Sequence, residues 1–379
     1  MATEQVTLRT TIQTIVDEME RIAPLSLAEG WDNVGLLIGD RQSPVQKIIT
    51  CLTITREVVQ EAVREGVQMI ITHHPILFKP VKQLVMDRPE SRMVCEMIQK
   101  GIAVYSAHTA FDNSVGGIND WLAQKLELVD TRALRPRAGE MKVKLVVYVP
   151  VSDLNKVADA IFAAGAGVIG EYKECSFRLA GVGTFYGSEQ SNPSLGQKGR
   201  REEVQEYRLE AVVPQSNLQA VVQAMRLVHS YEEPAFDVYP LQTVTSPSIG
   251  AGRIGRLPEK RSLESLALHL GKVLKAPGVQ LVGDRQQSVQ EIAIACGAAG
   301  EFLSDAIRAK ADVFVTGEMR FHDLLLAKES RVGVVLPGHY ASEHPAMMAL
   351  ADRLQEKFPD LIIRPSYEEC EPISILPIL

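Results

Sequence analysis

Val67–Pro75 reads VQMIITHHP. An apolar, β-branched run that ends in two adjacent histidines predicts a buried parallel strand with polar side chains at its carboxyl end, where α/β sheets place their chemistry. Successive residues of an extended strand point to opposite sides. His73 and His74 therefore serve one metal ion only if the chain bends, or two ions if each imidazole takes its own. Pro75 supports the bend, because it disfavours helix at His74 and cannot continue a hydrogen-bonded ladder.

That strand lies inside a repeat. Gly39–Thr72 aligns on Gly283–Thr316 without a gap, and eleven of the thirty-four positions are identical. Gly39-Asp40-Arg41-Gln42 recurs as Gly283-Asp284-Arg285-Gln286, and Thr72 recurs as Thr316. Each copy predicts strand, helix, strand: Ile48–Ile54, Arg56–Glu65 and Val67–Ile71 in the first; Ile292–Cys296, Glu301–Lys310 and Val313–Val315 in the second. Further on, Gly101–His108 matches Val332–His339, and each histidine is followed four residues later by an acid, Asp112 or Glu343. The expected fold class is α/β, with two duplicated halves whose strands end at a shared metal cleft. A pseudo-twofold would bring the ligands of both halves together.

Between the halves the pattern changes. Strand Lys142–Val149, helix Asp153–Ala163, a strand around Cys175–Tyr186, a polar loop Gly187–Arg201, strand Val204–Val213, helix Ser216–Leu227 and strand Pro234–Tyr239 give β-α-β-β-α-β, the ferredoxin-like plan. The loop reads as a mobile hairpin tip, and Thr243–Gly252 as a closing linker rich in Ser, Thr and Gly. The expected division is residues 1–135 with 246–379 as a discontinuous duplicated domain, and 140–245 as the insert. Gly250-Ala251-Gly252-Arg253-Ile254-Gly255 satisfies G-x-G-x-x-G but follows a linker and runs into Arg256-Leu257-Pro258, so it is no dinucleotide fingerprint.

The composition bounds the function. A chain of 379 residues exceeds one core, and 46% hydrophobic with 23% charged residues is ordinary for a globular protein. A net charge of -7 argues against nucleic-acid binding. Nothing approaches a membrane span, and the N-terminal stretch reads as an amphipathic helix. Five scattered cysteines without C-x-x-C suit a reducing cytoplasm.

The metal-ligand candidates are His73, His74, Asp112, His339 and Glu343. Imidazoles with carboxylates suit two divalent ions, zinc, iron or manganese, and Glu343 or Asp112 would bridge them. Any one strand-end histidine is commonly a polar cap. The argument rests on the set. His108 is either a ligand or a hydrogen-bond partner that orients Asp112 one turn away, the second being favoured. Glu318, equivalent to His74 in the repeat, either lines the cleft with His322 or starts a solvated helix. His344 is either a substrate-facing acid/base or a helix-start residue, the latter favoured. His229 and His269 have no cluster around them. Trp31-Asp32-Asn33-Val34-Gly35 is a turn that either rims the cleft or only connects. Lys79, Arg253, Arg256 and Arg320 are the cations near the cleft motifs.

WDNVGLLIGD, ITHHP, SAHTAFDN, VTGEMRFHD and PGHYASEHPA together resemble the NIF-three-like family, also known as GTP cyclohydrolase 1 type 2 homologues. The resemblance covers about Leu8–Leu128 and Gly250–Leu379. It implies a dinuclear metal centre held by His73, His74, Asp112, His339 and a bridging Glu343, with His108 outside the ligand set. It also implies a homohexameric toroid and, for Lys142–Leu241, a CutA/PII-like middle domain. It implies a metal-dependent hydrolase-like site and leaves the substrate open; two metals there would suit either opening of a purine nucleotide's imidazole ring or in-line displacement at a phosphoester. The competing expectation is a non-enzymatic metal-binding regulator whose middle domain senses a small ligand.

Overall fold

The computed structural model describes residues 10–137, 141–170, 172–242 and 247–376. Contacts divide the chain into two units, Met1–Arg137 with Pro247–Leu379, and Ala138–Ser246.

In the larger unit the first half runs α1 (Ile12–Ile22), β1 (Gly35–Ile38), β2 (Lys47–Cys51), α2 (Arg56–Glu65), β3 (Met69–Thr72), α3 (Pro89–Lys100), β4 (Ala103–Ser106), α4 (His108–Asn113), α5 (Ile118–Lys125) and β5 (Val129–Pro136). The smaller unit holds β6 (Lys142–Pro150), α6 (Leu154–Ala163), β7 (Ser176–Tyr186), β8 (Arg201–Pro214), α7 (Leu218–Val228) and β9 (Phe236–Pro240). The second half of the larger unit adds β10 (Gly250–Ser262), α8 (Leu263–Leu274), β11 (Gln280–Val282), β12 (Ser288–Ile294), α9 (Leu303–Arg308), β13 (Val313–Val315), α10 (Phe321–Glu329), β14 (Gly333–Leu336), α11 (His339–Lys357) and β15 (Ile362–Pro365). The fold is mixed α/β with several sheets.

Two sheets of the larger unit share a plan. One has the order β1-β4-β3-β2-β15, parallel throughout except for β1 at its edge. The other has β11-β14-β13-β12-β10-β5, with β12, β13 and β14 parallel and the antiparallel β11 in the place of β1. The sequence repeat is thus a repeat of strands. β3 shows why these runs are apolar on both sides: Met69 and Ile71 enter the core under α1, while Ile70 enters the core under α2 and α3. Each fully buried isoleucine contributes roughly 1.5–3 kcal/mol. The connecting helix is punctuated at both ends. The Thr55 hydroxyl accepts the Val58 N–H at the start of α2, and Gly66 closes it with φ 65°.

The halves exchange their last elements. Leu122, Ala123 and Leu126, on and just after α5, pack with Leu266 and Ile294 of the second sheet's core, and β5 pairs with β10. In return Met347, Leu350 and Leu354 of α11 pack with Ile15 and Met19 of α1, and β15 lies parallel to β2.

Two expectations are corrected, the end of the linker and the helix Glu301–Lys310. Of Thr243–Gly252, residues 243–246 lie outside the described residues, and the closing linker ends early, because Gly250 already begins the thirteen-residue strand β10. The G-x-G-x-x-G run is therefore ladder, bonded to β5 and β12, with no helix N-terminus to cradle a phosphate. In place of one helix over Glu301–Lys310 there is a 3-10 turn, Gly300–Phe302, followed by the short α9.

In the smaller unit the sheet order is β7-β8-β6-β9, antiparallel throughout. Val157 and Ile161 of α6 and Val221 and Met225 of α7 share one core with Leu145 and Val147 of β6.

Candidate metal centre

β3 and β4 are parallel, with Thr72 opposite Ser106, so the residues that follow them emerge side by side. The chain turns there. His73 N–H donates to the Cys51 carbonyl at 3.1 Å, His74 N–H to Leu52 at 2.9 Å, and His108 N–H to the His73 carbonyl at 3.1 Å. These bonds splay the two imidazoles, whose centroids stand 5.1 Å apart. His108 takes φ 27°, a conformation that non-glycine residues adopt at a cost, which here puts its ring against both. Asp112 follows one turn later on α4. From the second half, His339 opens α11 and Glu343 lies one turn along it.

All six residues line one cavity of about 450 Å³. Two groups of donor atoms converge there: His73, His74 and His108, and His74, His339 and Glu343, the atoms of each lying within 4.8 Å of one another. Glu343 Oε2 is 3.2 Å from His74 Nε2 and 3.0 Å from His339 Nε2, while His73 Nε2 is 3.6 Å from Asp112 Oδ1. Yet Glu343 Oε2 and Asp112 Oδ1 are buried without a hydrogen-bond partner. Buried oxygens left that way are costly unless something else binds them, and a cation among these donors meets that need.

The protonation states follow from burial and neighbours. Burial drives the His73 imidazole well below its ordinary value, so it is the neutral form a metal requires. Burial, reinforced by the nearby Glu343 charge, raises Asp112. Burial alone would raise Glu343 too, but the His339 and His74 rings hold it far below the ordinary carboxylate value. His339 is pushed up to about 9, chiefly by Glu343, against its own burial.

The remaining ring nitrogens are held from behind. The Thr53 hydroxyl meets His74 Nδ1 at 2.7 Å, and Glu318 Oε1 meets His339 Nδ1 at 3.0 Å. His108 Nδ1 meets Asp32 Oδ1 at 2.7 Å, so the expected bond from His108 to Asp112 is replaced by one to the turn before β1. The other Asp32 oxygen accepts from Thr109 N–H at 3.1 Å and from the Thr109 hydroxyl. Burial opposes ionisation of Asp32, but these donors bring it down to about 2. Thr53 is fixed in turn by Glu369, whose carboxylate accepts its N–H at 2.7 Å. Asp32, Thr53 and Glu369 were missed as supports because their partners are far away in sequence. The polar turn around Asp32 was the one local signal.

Other candidates are placed elsewhere. His344 does not begin a helix, since α11 starts at His339. It stacks on Tyr340 with centroids 4.4 Å apart and faces Glu369, outside the cavity lining. His322 packs on Phe321. In the smaller unit, His229 Nε2 meets the Tyr148 carbonyl. Arg253, almost wholly buried, is bound to Asp120 and to the carbonyls of Ser114, Gly250 and Gly252. Among the described residues Arg135 is the one Lys or Arg lining the cavity, lying over Phe302 and bonded to Asp305. Trp31 also lines it, exposed, edge-on to Phe78 at 5.8 Å and to His108 at 6.0 Å.

These features define a mixed α/β protein with a histidine–glutamate cluster able to hold metal ions. More narrowly, the chain belongs to the Duf34/NIF3 (NGG1p interacting factor 3) family, whose model matches residues 10–368. It is 38% identical to the GTP cyclohydrolase 1 type 2 homolog of Halalkalibacterium halodurans over 86% of this chain and 88% of that one. The Mycobacterium tuberculosis protein of the same name is 34% identical over 91% of each. Among solved structures, a Bacillus cereus protein related to NIF3 matches with TM-score 0.74 at 35% identity, over 97% of this chain and 99% of that one. A Staphylococcus aureus protein matches with TM-score 0.78 at 28% identity, over the same shares. Among the described residues no helix is long and apolar enough to cross a membrane.

Proposed function

We propose that the larger unit carries a dinuclear metal centre and hydrolyses a small anionic substrate bearing a flat ring, with a nucleotide favoured over a plain phosphoester. The ligands are His73, His74, Asp112, His339 and Glu343, drawn from both halves into one shared cleft, with Glu343 bridging. The observation that carries this reading is the Glu343 carboxylate oxygen, buried between two imidazoles without a hydrogen-bond partner. Two donor groups that share His74 support a pair of ions. The mixed nitrogen and oxygen donors suit zinc, iron or manganese.

Divalent ions there would supply Lewis acidity and an activated water as nucleophile. The chain's own residues do the rest. Thr53, Glu318 and Asp32 fix the ring orientations of His74, His339 and His108. Arg135 offers a charge to the substrate's anionic end, and Trp31 with Phe78 offers a surface for a ring. The smaller unit we read as a ferredoxin-like, CutA/PII-like insert, on its element order and its strand order β7-β8-β6-β9. A homohexameric assembly, measurable by light scattering, and a cytoplasmic location, suited to five free cysteines, complete the reading.

The test is metal analysis of the purified protein, then turnover against panels of nucleotides and phosphoesters beside Glu343→Gln. Turnover that disappears with the bound metal in the variant supports the hydrolase; unchanged turnover sinks it. Metal retained without turnover on either panel favours the regulator, a reading to which the cavity of the smaller unit lends weight.

A further inference from the structure

The smaller unit has its own cavity, of about 560 Å³, within the size range of small-molecule sites. Four aromatic side chains face it: Tyr148 of β6, Phe185 and Tyr186 of β7, and Tyr231. Ser191, Pro193 and Leu195, from the loop between β7 and β8, close one side. That loop is tied down, because Asn192 N–H donates to Glu232 Oε2 at 2.9 Å.

The charges in this lining are all of one sign. Glu206, Glu232 and Glu233 line the cavity, and no lysine, arginine or histidine does so among the described residues. Glu206 Oε1 accepts from the Tyr231 hydroxyl at 2.7 Å, which leaves Oε2. A β-carbon at Gly183 would stand 2.0 Å from that oxygen, so β7 carries no side chain where the carboxylate needs room. Glu233 is partly answered by Arg226 at 3.4 Å; Glu206 and Glu232 have no ion-pair partner of their own in the lining.

An anion would meet uncompensated carboxylates here. A bare metal ion would meet no set of converging donors, since the described residues that form such sets are all in the larger unit. Aromatic faces beside carboxylates instead favour a cation that also carries apolar surface, through ring quadrupole and Coulomb attraction together. We propose that this cavity binds an organic cation, an amine or quaternary ammonium compound with a flat or aromatic body. The site is independent of the metal centre, and its test uses no metal.

Calorimetry on the full chain with tyramine, neutral 4-ethylphenol and anionic 4-hydroxyphenylacetate separates charge from shape. Tyramine binds about tenfold tighter than 4-ethylphenol, and the anion binds weakest. Glu206→Gln removes that preference while still offering Tyr231 an acceptor. Glu232→Gln, which keeps an acceptor for Asn192, weakens it by itself, and decides the matter if the Glu206 variant does not fold by circular dichroism. No binding of tyramine, equal binding of all three probes, tightest binding of the anion, or full tyramine preference in the folded variants overturns the proposal.

Discussion

Asp32→Asn keeps the shape of a buried side chain but replaces a charged acceptor oxygen with a neutral NH2 donor. In the parent, one carboxylate oxygen accepts from His108 Nδ1 at 2.7 Å and the other from Thr109 N–H at 3.1 Å, so His108 carries its hydrogen on Nδ1 and leaves Nε2 for the histidine cluster. An amide cannot serve both sides. With its oxygen towards His108, its NH2 faces the Thr109 N–H, donor against donor. Flipped, it donates to Nδ1 and forces the hydrogen onto Nε2, the nitrogen left for the cluster. Losing one charge-assisted bond costs about 1.5–3 kcal/mol. A direct partner of a ligand is worth roughly 10–100-fold in metal affinity, or about 1.4–2.7 kcal/mol; Asp32 acts through His108, so a loss towards the lower end, about tenfold, is expected. Stripped protein titrated with zinc against a chromophoric chelator at fixed neutral pH should show that loss, with the fold retained by circular dichroism. Affinity equal to the parent's would refute the idea that Asp32, by fixing the His108 ring against those of His73 and His74, supports the metal site.

Gly297 has φ 73°, and a β-carbon there would lie 2.1 Å from Glu343 Oε1; Gly297→Ala should displace that carboxylate and lower metal affinity at least tenfold. Gly66→Ala, with φ 65° and open space around it, carries a similar backbone cost of about 1–2 kcal/mol and is the control. Equal metal affinity in the two variants would remove Glu343 from the site. His339, raised from 6.5 to about 9, is protonated at neutral pH until a cation displaces the proton. Metal uptake should therefore release a proton, and affinity should climb about tenfold per pH unit from neutrality to about 9 before flattening. In the metal-free protein the sign is opposite: the raised pKa stabilises fully below 6.5, and that contribution is lost as pH rises through about 9. A pH-independent affinity would contradict both. Arg253→Met leaves Asp120 and three carbonyls without their donor, and urea unfolding of the larger unit should fall by about 3–5 kcal/mol. A change under about 1 kcal/mol would mean the pair is replaceable.

What could be read in advance was whatever chemistry writes locally. β-branched runs ending in His73, His108 and His339 marked strand ends, and the shared spacing of Gly39–Thr72 with Gly283–Thr316 marked the matching strands. What stayed hidden depended on distant partners. Gly250 looked like linker because threonines, serines and a proline precede it, but it pairs with Pro136 of β5, and three residues further on the same strand also meets β12, so it is recruited into a sheet. Arg253 read as a cleft cation until Asp120 and three carbonyls enclosed it. His108 has an acid one turn away, so helix spacing pointed to Asp112, whereas the positive φ aims the ring at Asp32 instead.

The reciprocal exchange of terminal elements has a bearing on ancestry. Severed at the insert, either half would keep a sheet whose covering helix and flanking strand had gone to the other fragment, exposing Ile15 and Met19 on one side and Leu266 and Ile294 on the other. A progenitor of single-half length could have met that deficit by trading the same segments with a sister molecule. Gene fusion would then have tethered an existing partnership without redesigning either surface.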